Sequence, residues 1–158
     1  MTMLEFLPKA VLLALAILPA FTTAPKSAPP KGDAAELSNA ATGCHQTFDR
    51  FVIRARFATP GYDVRYVRRI VADPSGRPVA LLGARRIRVT LDLAAGHDNR
   101  GRNLLAGTLT PRCANLLQVK KAGDFEGTVS YGLGLRRMTG FRVFGLTNPT
   151  RVVIDVAH

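Results

Sequence analysis

The chain of 158 residues contains no tryptophan, two cysteines and three histidines, and it lacks the short patterns on which most enzyme chemistry rests. His45, His97 and His158 fall at no HExxH or comparable metal-ligand spacing. No GxSxG elbow surrounds a serine, and neither Cys44 nor Cys113 sits in a nucleophile signature. His97 and Asp98 are the one adjacent base and carboxylate, and neighbouring residues seldom orient one another productively. A phosphate-cradling loop is missing too, because Gly132-Leu133-Gly134 lies inside a strand pattern rather than ahead of a helix. These absences predict a protein that is not an enzyme and holds neither cofactor nor metal.

Long apolar runs are also scarce. A spanning helix needs about 20 apolar residues, and the longest run here, Ala10 to Phe21, is shorter. It follows Lys9 and leads into the small residues Thr22, Thr23 and Ala24, so residues 1–24 read as a secretory signal peptide. Pro25 disfavours a cut after Ala24, which leaves an uncleaved N-terminal membrane tether as the alternative. Ala41-Thr42-Gly43 before Cys44 resembles a lipoprotein signal only superficially, since Asp33 to Ala40 is polar and small. Residues 25–43, with Pro25, Pro29 and Pro30 and almost no large apolar side chain, read as a flexible linker. The domain is then expected over 44–158.

In an exported chain an even pair of cysteines argues for one disulfide, Cys44–Cys113. It would close a loop of about 70 residues and contribute about 4 kcal/mol in the chain-entropy description. Free thiols and metal ligation are the alternatives, and the lack of a histidine at short ligand spacing weighs against metal.

No window forms an amphipathic helix, and no repeat of fixed period occurs; two-residue alternation dominates. Ile87, Val89, Leu91 and Leu93 point one way, and Arg86, Arg88, Thr90 and Asp92 the other. Phe51, Ile53, Ala55 and Phe57 alternate in the same manner, as do Val152, Ile154 and Val156. Val129, Tyr131, Leu133 and Leu135 alternate with Ser130, Gly132 and Gly134, whose glycines leave one face nearly bare. Turn signals separate the runs at Thr59-Pro60-Gly61, Thr139-Gly140 and Asn148-Pro149, and Asp73-Pro74-Ser75-Gly76 predicts a hairpin from Tyr62–Val71 into Val79–Leu82. Ala94 to Asn115 reads as a long loop enclosing a short strand near Leu105 to Leu109. The expectation is an all-β fold, a small sandwich of short antiparallel strands with one disulfide.

Phe141-Arg142-Val143-Phe144, Asn148-Pro149, Arg151 and Val152-Val153-Ile154-Asp155, with Phe48-Asp49-Arg50-Phe51-Val52 and Thr59-Pro60-Gly61-Tyr62 upstream, resemble the AMIN-like domains of secreted actinobacterial envelope proteins. The resemblance covers most of the chain after about residue 44. It implies a β-sandwich exported to the cell envelope and related to the AMIN modules that place cell-wall amidases by binding peptidoglycan. No catalytic domain is expected to follow, so such a module would act for itself or for a separate partner.

Acidic residues are few: Lys+Arg total 22 against Asp+Glu 11, a formal charge of +11. Arg54 and Arg56, Arg65, Arg68 and Arg69, and Arg85, Arg86 and Arg88 lie in strand-like segments, where they form either a solvated face or a guanidinium array on one sheet. Guanidinium forks suit carboxylate and phosphate, so the expected partners are a cell-wall glycan or an anionic envelope polymer, with peripheral contact to anionic lipid as a further option. Nucleic acid is not expected of an exported chain without a recognition motif. The candidate ligand-binding residues are Arg142, Arg151, Arg136 and Tyr131, the last as a flat strip beside Gly132 and Gly134 or else as core. For Arg142 and Arg151 a strand-pairing salt bridge is the alternative, and Asp155 is expected to pair with a neighbouring arginine. Asp124 and Glu126 would share one strand face. The competing function is a structural scaffold that binds another envelope protein through an exposed strand edge.

Overall fold

The computed structural model describes residues 17–158; most of the expected signal peptide, residues 1–16, lies outside them. Thirteen strands follow in order: β1 (Lys26–Ala28), β2 (Ala35–Cys44), β3 (Phe48–Arg56), β4 (Gly61–Val67), β5 (Ile70–Val71), β6 (Pro78–Val79), β7 (Arg85–Asp92), β8 (Ala94–Ala95), β9 (Thr108–Leu109), β10 (Leu116–Phe125), β11 (Thr128–Leu135), β12 (Phe141–Leu146) and β13 (Arg151–Ala157). One sheet has six strands in the order β1-β4-β7-β11-β10-β9, and the other five in the order β12-β13-β3-β2-β8. All pairings are antiparallel except β2 with β8.

The alternation in the sequence selects which side chains enter the space between the sheets. Ile87, Val89 and Leu91 from β7 and Val129, Tyr131, Leu133 and Leu135 from β11 meet Phe51, Ile53, Val152, Ile154 and Val156 in one core. Burying each large side chain contributes about 1.5–3 kcal/mol, and Tyr131 lies with its ring centroid 5.0 Å from that of Phe51. The alternation stops at two positions where it was expected to continue. Phe57 and Leu93 have φ of 73° and 53° and are exposed, because the chain leaves the sheet there. The Cys44–Cys113 disulfide is present and ties the end of β2 to the segment before β10.

Residues 25–43 are not a linker. β1 pairs with β4, and β2 runs along the whole of β3, with Ala35, Leu37 and Ala40 buried. Small side chains made this segment look unable to fill a core, but the neighbouring strands supply the bulk. The chain docks even earlier. Thr22 and Phe141 exchange both backbone hydrogen bonds, at 3.1 and 2.8 Å, and Lys26 Nζ donates to Thr22 O and Ala24 O while standing 3.6 Å from the Phe141 ring centroid. Residues Phe21 to Ala28 thus cross from the edge of one sheet to the edge of the other.

The bare strip beside Tyr131 is likewise filled. The short hairpin β5–β6, built on the predicted Asp73–Gly76 turn, and the segment after it fold over the outer face of β11. A Cβ at Gly132 would lie 2.7 Å from Ile70 Cγ1 and 2.8 Å from Leu81 Cδ1. Ile70, Leu81 and Ala122 form a second small core there. Tyr131 faces the opposite way, into the main core, and is 1% exposed; it cannot serve as a sugar platform.

A buried polar joint locks one end of the sandwich. Asp49 Oδ2 accepts the backbone N–H of Asn115 and of Leu116 at 2.8 and 2.9 Å. Asn115 Nδ2 donates to Thr139 Oγ1 and Ala157 O, and its Oδ1 accepts the Arg137 N–H. These bonds fix the loop between β11 and β12, which borders the groove described next.

Candidate functional site

The arginines divide into those with a buried partner and those without. On the outer face of the five-stranded sheet, Asp155 is 0% exposed because strand register places it between Arg142 on β12 and Arg50 on β3. Arg50 Nε and Nη2 donate to its two oxygens at 2.7 and 3.0 Å, and Arg142 donates to Oδ2 at 3.0 Å. Hydrogen bonding to Asp155 raises the Arg50 pKa further above its usual value. Phe21, Phe48 and Phe144 lie over the two guanidinium groups, with Phe21 at 4.3 Å from Arg142. Asp155 pairs with arginine as expected, and Arg142 is consumed in that pairing. Sequence reading missed Arg50, although its place one residue before the core residue Phe51 puts it on the opposite face.

Arg151 donates to the backbone oxygens of Pro149 and Thr147, and Arg136 donates to Ala114 O. Both remain exposed or half-exposed, Arg151 on β13 of the five-stranded sheet and Arg136 just after β11 of the six-stranded one, so the four residues singled out in the sequence do not converge. Arg54 and Arg56 lie on the five-stranded sheet, with Arg56 bonded to Glu36 at 2.9 Å; Arg65, Arg86 and Arg88 lie on the six-stranded one. Arg65 is paired with Asp63. The expected array is therefore split between two faces.

What the fold does assemble is a groove of about 460 Å³ at one end of the six-stranded sheet, lined by Tyr66, Val67, Arg68, Ala84, Arg85, Arg86 and Met138. Three elements meet there: the end of β4, the start of β7 and the loop between β11 and β12. Gly83 makes the entry to β7 possible, with φ of 101° and no room for a Cβ against the Leu135 backbone, and Ala84 N–H then bonds Leu135 O at 2.8 Å. Tyr66 is held by its hydroxyl, which donates to Thr139 O at 2.7 Å and accepts the Thr139 N–H at 3.0 Å. Its ring is set edge-on to Phe141. The floor therefore offers ring and aliphatic carbon, while Met138 is exposed at the rim.

Arg68, Arg85 and Arg86 make no ion pair among the described residues. Arg85 donates one bond to Ala84 O, which leaves most of its donors open. A second depression, lined by Asp73, Pro74, Phe125, Glu126 and Thr128, has acidic walls instead. Asp124 and Glu126 do not share a face, since Glu126 has φ of 50° in the turn after β10. Asp124 accepts from Gly96 N–H and meets His97 Nδ1 at 2.8 Å, anchoring the long loop. Asp98 turns instead to Arg102, whose backbone N–H leads the bonds that hold the Asp98 carboxyl below its usual range, so His97 and Asp98 do not act together. Cys44, Asp49 and Cys113 bring ligand-type atoms close, but both sulfurs are spent on the disulfide. Arg68, Arg85 and Arg86 were visible in the sequence as a charge run; Tyr66 and Met138 had no signal, because only the fold brings them beside that run.

No curated protein and no solved structure matches the chain. The family model of the AMIN-like domain matches residues 35–158, from the first residue of β2 to the last residue of the chain. AMIN-like domains are non-catalytic binding modules typical of secreted and cell-envelope proteins. With its two-sheet fold and the match over β2 to β13, the chain belongs to the AMIN-like domain family.

Proposed function

We propose that this protein is an exported, non-catalytic module that binds peptidoglycan or a wall-associated anionic polymer, with the arginine-lined groove as its principal contact. The observation that carries the reading is that three arginines without an ion pair among the described residues, Arg68, Arg85 and Arg86, line one groove. Exposed or half-exposed forks without an internal acid keep their donors open to an external carboxylate or phosphate. Arg136, which leads into the same loop as Met138, is proposed as an additional contact, and Arg151 as a separate one on the other sheet. Export through the N-terminal apolar segment, cut or retained as a tether, accords with this role, as does the absence of a nucleic-acid recognition motif.

The test is retention of the protein on purified sacculi, with and without attached anionic polymers, at low and physiological salt. Wild type is expected to bind and to weaken as salt rises, and the Arg68→Ala/Arg85→Ala/Arg86→Ala protein is expected to be lost from the pellet. Equal retention of that variant would refute the groove.

A second reading has its own observation. β12 is an edge strand whose outer side, among the described residues, is bridged only at Thr22, leaving the rest open to a strand from another envelope protein. Binding of that kind would persist at high salt.

A further inference from the structure

The groove discriminates between the parts of a wall polymer, and this inference rests on the wall-binding reading above. Its lining contains three arginines, one tyrosine, and valine, alanine and methionine side chains. Guanidinium groups donate and never accept. The one hydroxyl, on Tyr66, is already bonded to Thr139 as both donor and acceptor. Apart from the weakly accepting thioether of Met138, no side chain of the lining therefore has a free acceptor, and none is an aspartate, glutamate, asparagine or glutamine.

A neutral sugar presents several hydroxyl donors that would lose water without gaining side-chain partners in such a site, which disfavours its entry. A polyol phosphate brings the right charge and the same unmatched hydroxyls. A short peptide with alanine-sized side chains and a free carboxylate matches both halves of the surface. Its carboxylate meets the open forks of Arg68, Arg85 or Arg86, and its methyl groups meet Val67, Ala84, Met138 and the Tyr66 ring. We propose that the groove binds the carboxylate-bearing peptide stems of the wall and not its glycan strands.

The proposal can be tested with the full exported chain carrying labelled methionine methyl groups. The probes are a tri-alanine peptide with a free C-terminal carboxylate, the same peptide as its C-terminal amide, and a soluble neutral oligomer of N-acetylglucosamine as the glycan. Met138 is the rim reporter. Its methyl resonance is expected to shift with the carboxylate peptide, much less with the amide and not with the glycan. Arg85→Ala/Arg86→Ala is expected to abolish the shift while leaving the rest of the spectrum in place.

Equal response to acid and amide, or a shift with the glycan alone, would overturn the assignment. So would an unmoved Met138 while sacculi still retain the protein, which would leave wall binding standing and put it elsewhere on the surface. Failure to bind sacculi with a clear peptide-dependent shift would instead sink the wall reading and keep the groove's chemistry. Sacculi stripped of stem peptides should lose most of the protein retained by intact ones; equal retention counts against the proposal.

Discussion

Arg50 and Arg142 on the outer face of the five-stranded sheet close over a fully buried carboxylate, whereas Arg68, Arg85 and Arg86 at the end of the six-stranded sheet face a groove with no acid in its lining. The five side chains are chemically identical. Their roles differ because strand register supplies Asp155 to the first pair and nothing of opposite charge to the other three. A buried carboxylate makes an arginine part of the structure, since removing either partner strands a charge out of water. An arginine without one is held by little and is available to a ligand.

Substitutions that unbalance the paired side should have the largest effect. Asp155→Asn leaves two guanidinium groups over a neutral amide and is expected to destabilise the domain by about 3–5 kcal/mol, read as a fall in the urea midpoint. A loss under about 1 kcal/mol would mean that Arg50 and Arg142 reach solvent easily and belong with the other set. Next in size is Tyr131→Phe. The Tyr131 hydroxyl is buried without a hydrogen-bond partner among the described residues, so removing it should raise stability by about 1 kcal/mol.

Tyr131 also sets a pH dependence. Burial, with a smaller contribution from Asp124, pushes its pKa above the usual tyrosine value. A group whose folded pKa is raised contributes stability below its unfolded value, and that contribution falls away as pH climbs past about 10. The alkaline limb of a stability profile should be flatter in Tyr131→Phe than in wild type.

On the unpaired side the expected change in stability is small. Arg85→Ala/Arg86→Ala should alter stability by no more than about 0.5 kcal/mol per site while removing retention on sacculi. A large fall in melting temperature would show that these arginines are structural after all. Smallest of all is the half-exposed pair Asp63 and Arg65. The hydrogen bond from Arg65 lowers the Asp63 pKa, so its contribution is present above the ordinary carboxylate range and is lost as pH falls through the lowered value. Asp63→Asn should flatten the acid limb slightly, and added salt should shrink the difference, because a pair this open to solvent is screened.

Much of the sandwich was legible because a half-buried strand writes its inward face at every second residue. Ile87, Val89, Leu91, Phe51, Ile53 and Ile154 could be assigned to the core on that ground alone, and an even cysteine pair, with export expected, predicted its disulfide. The same rule failed for residues 25–43, where small side chains are buried by their neighbours' bulk rather than their own. It failed again at Gly132 and Gly134, whose empty face is the seat of a hairpin distant in sequence. Edge contacts such as Thr22 with Phe141 leave no periodic trace at all, since a single bridge sets no pattern.

By itself the sequence determined the fold class, the core face of most strands, the positive charge and the cysteine pairing, because each of these follows from local alternation, residue counts or a pair of thiols with no other partner. Which arginines are structural and which are open was decided only in the tertiary structure. Electrostatic partnership depends on distance and burial, and the residues that settle it, Asp155 against Arg50 and Tyr66 and Met138 beside Arg85, are brought together by strand pairing across long stretches of chain.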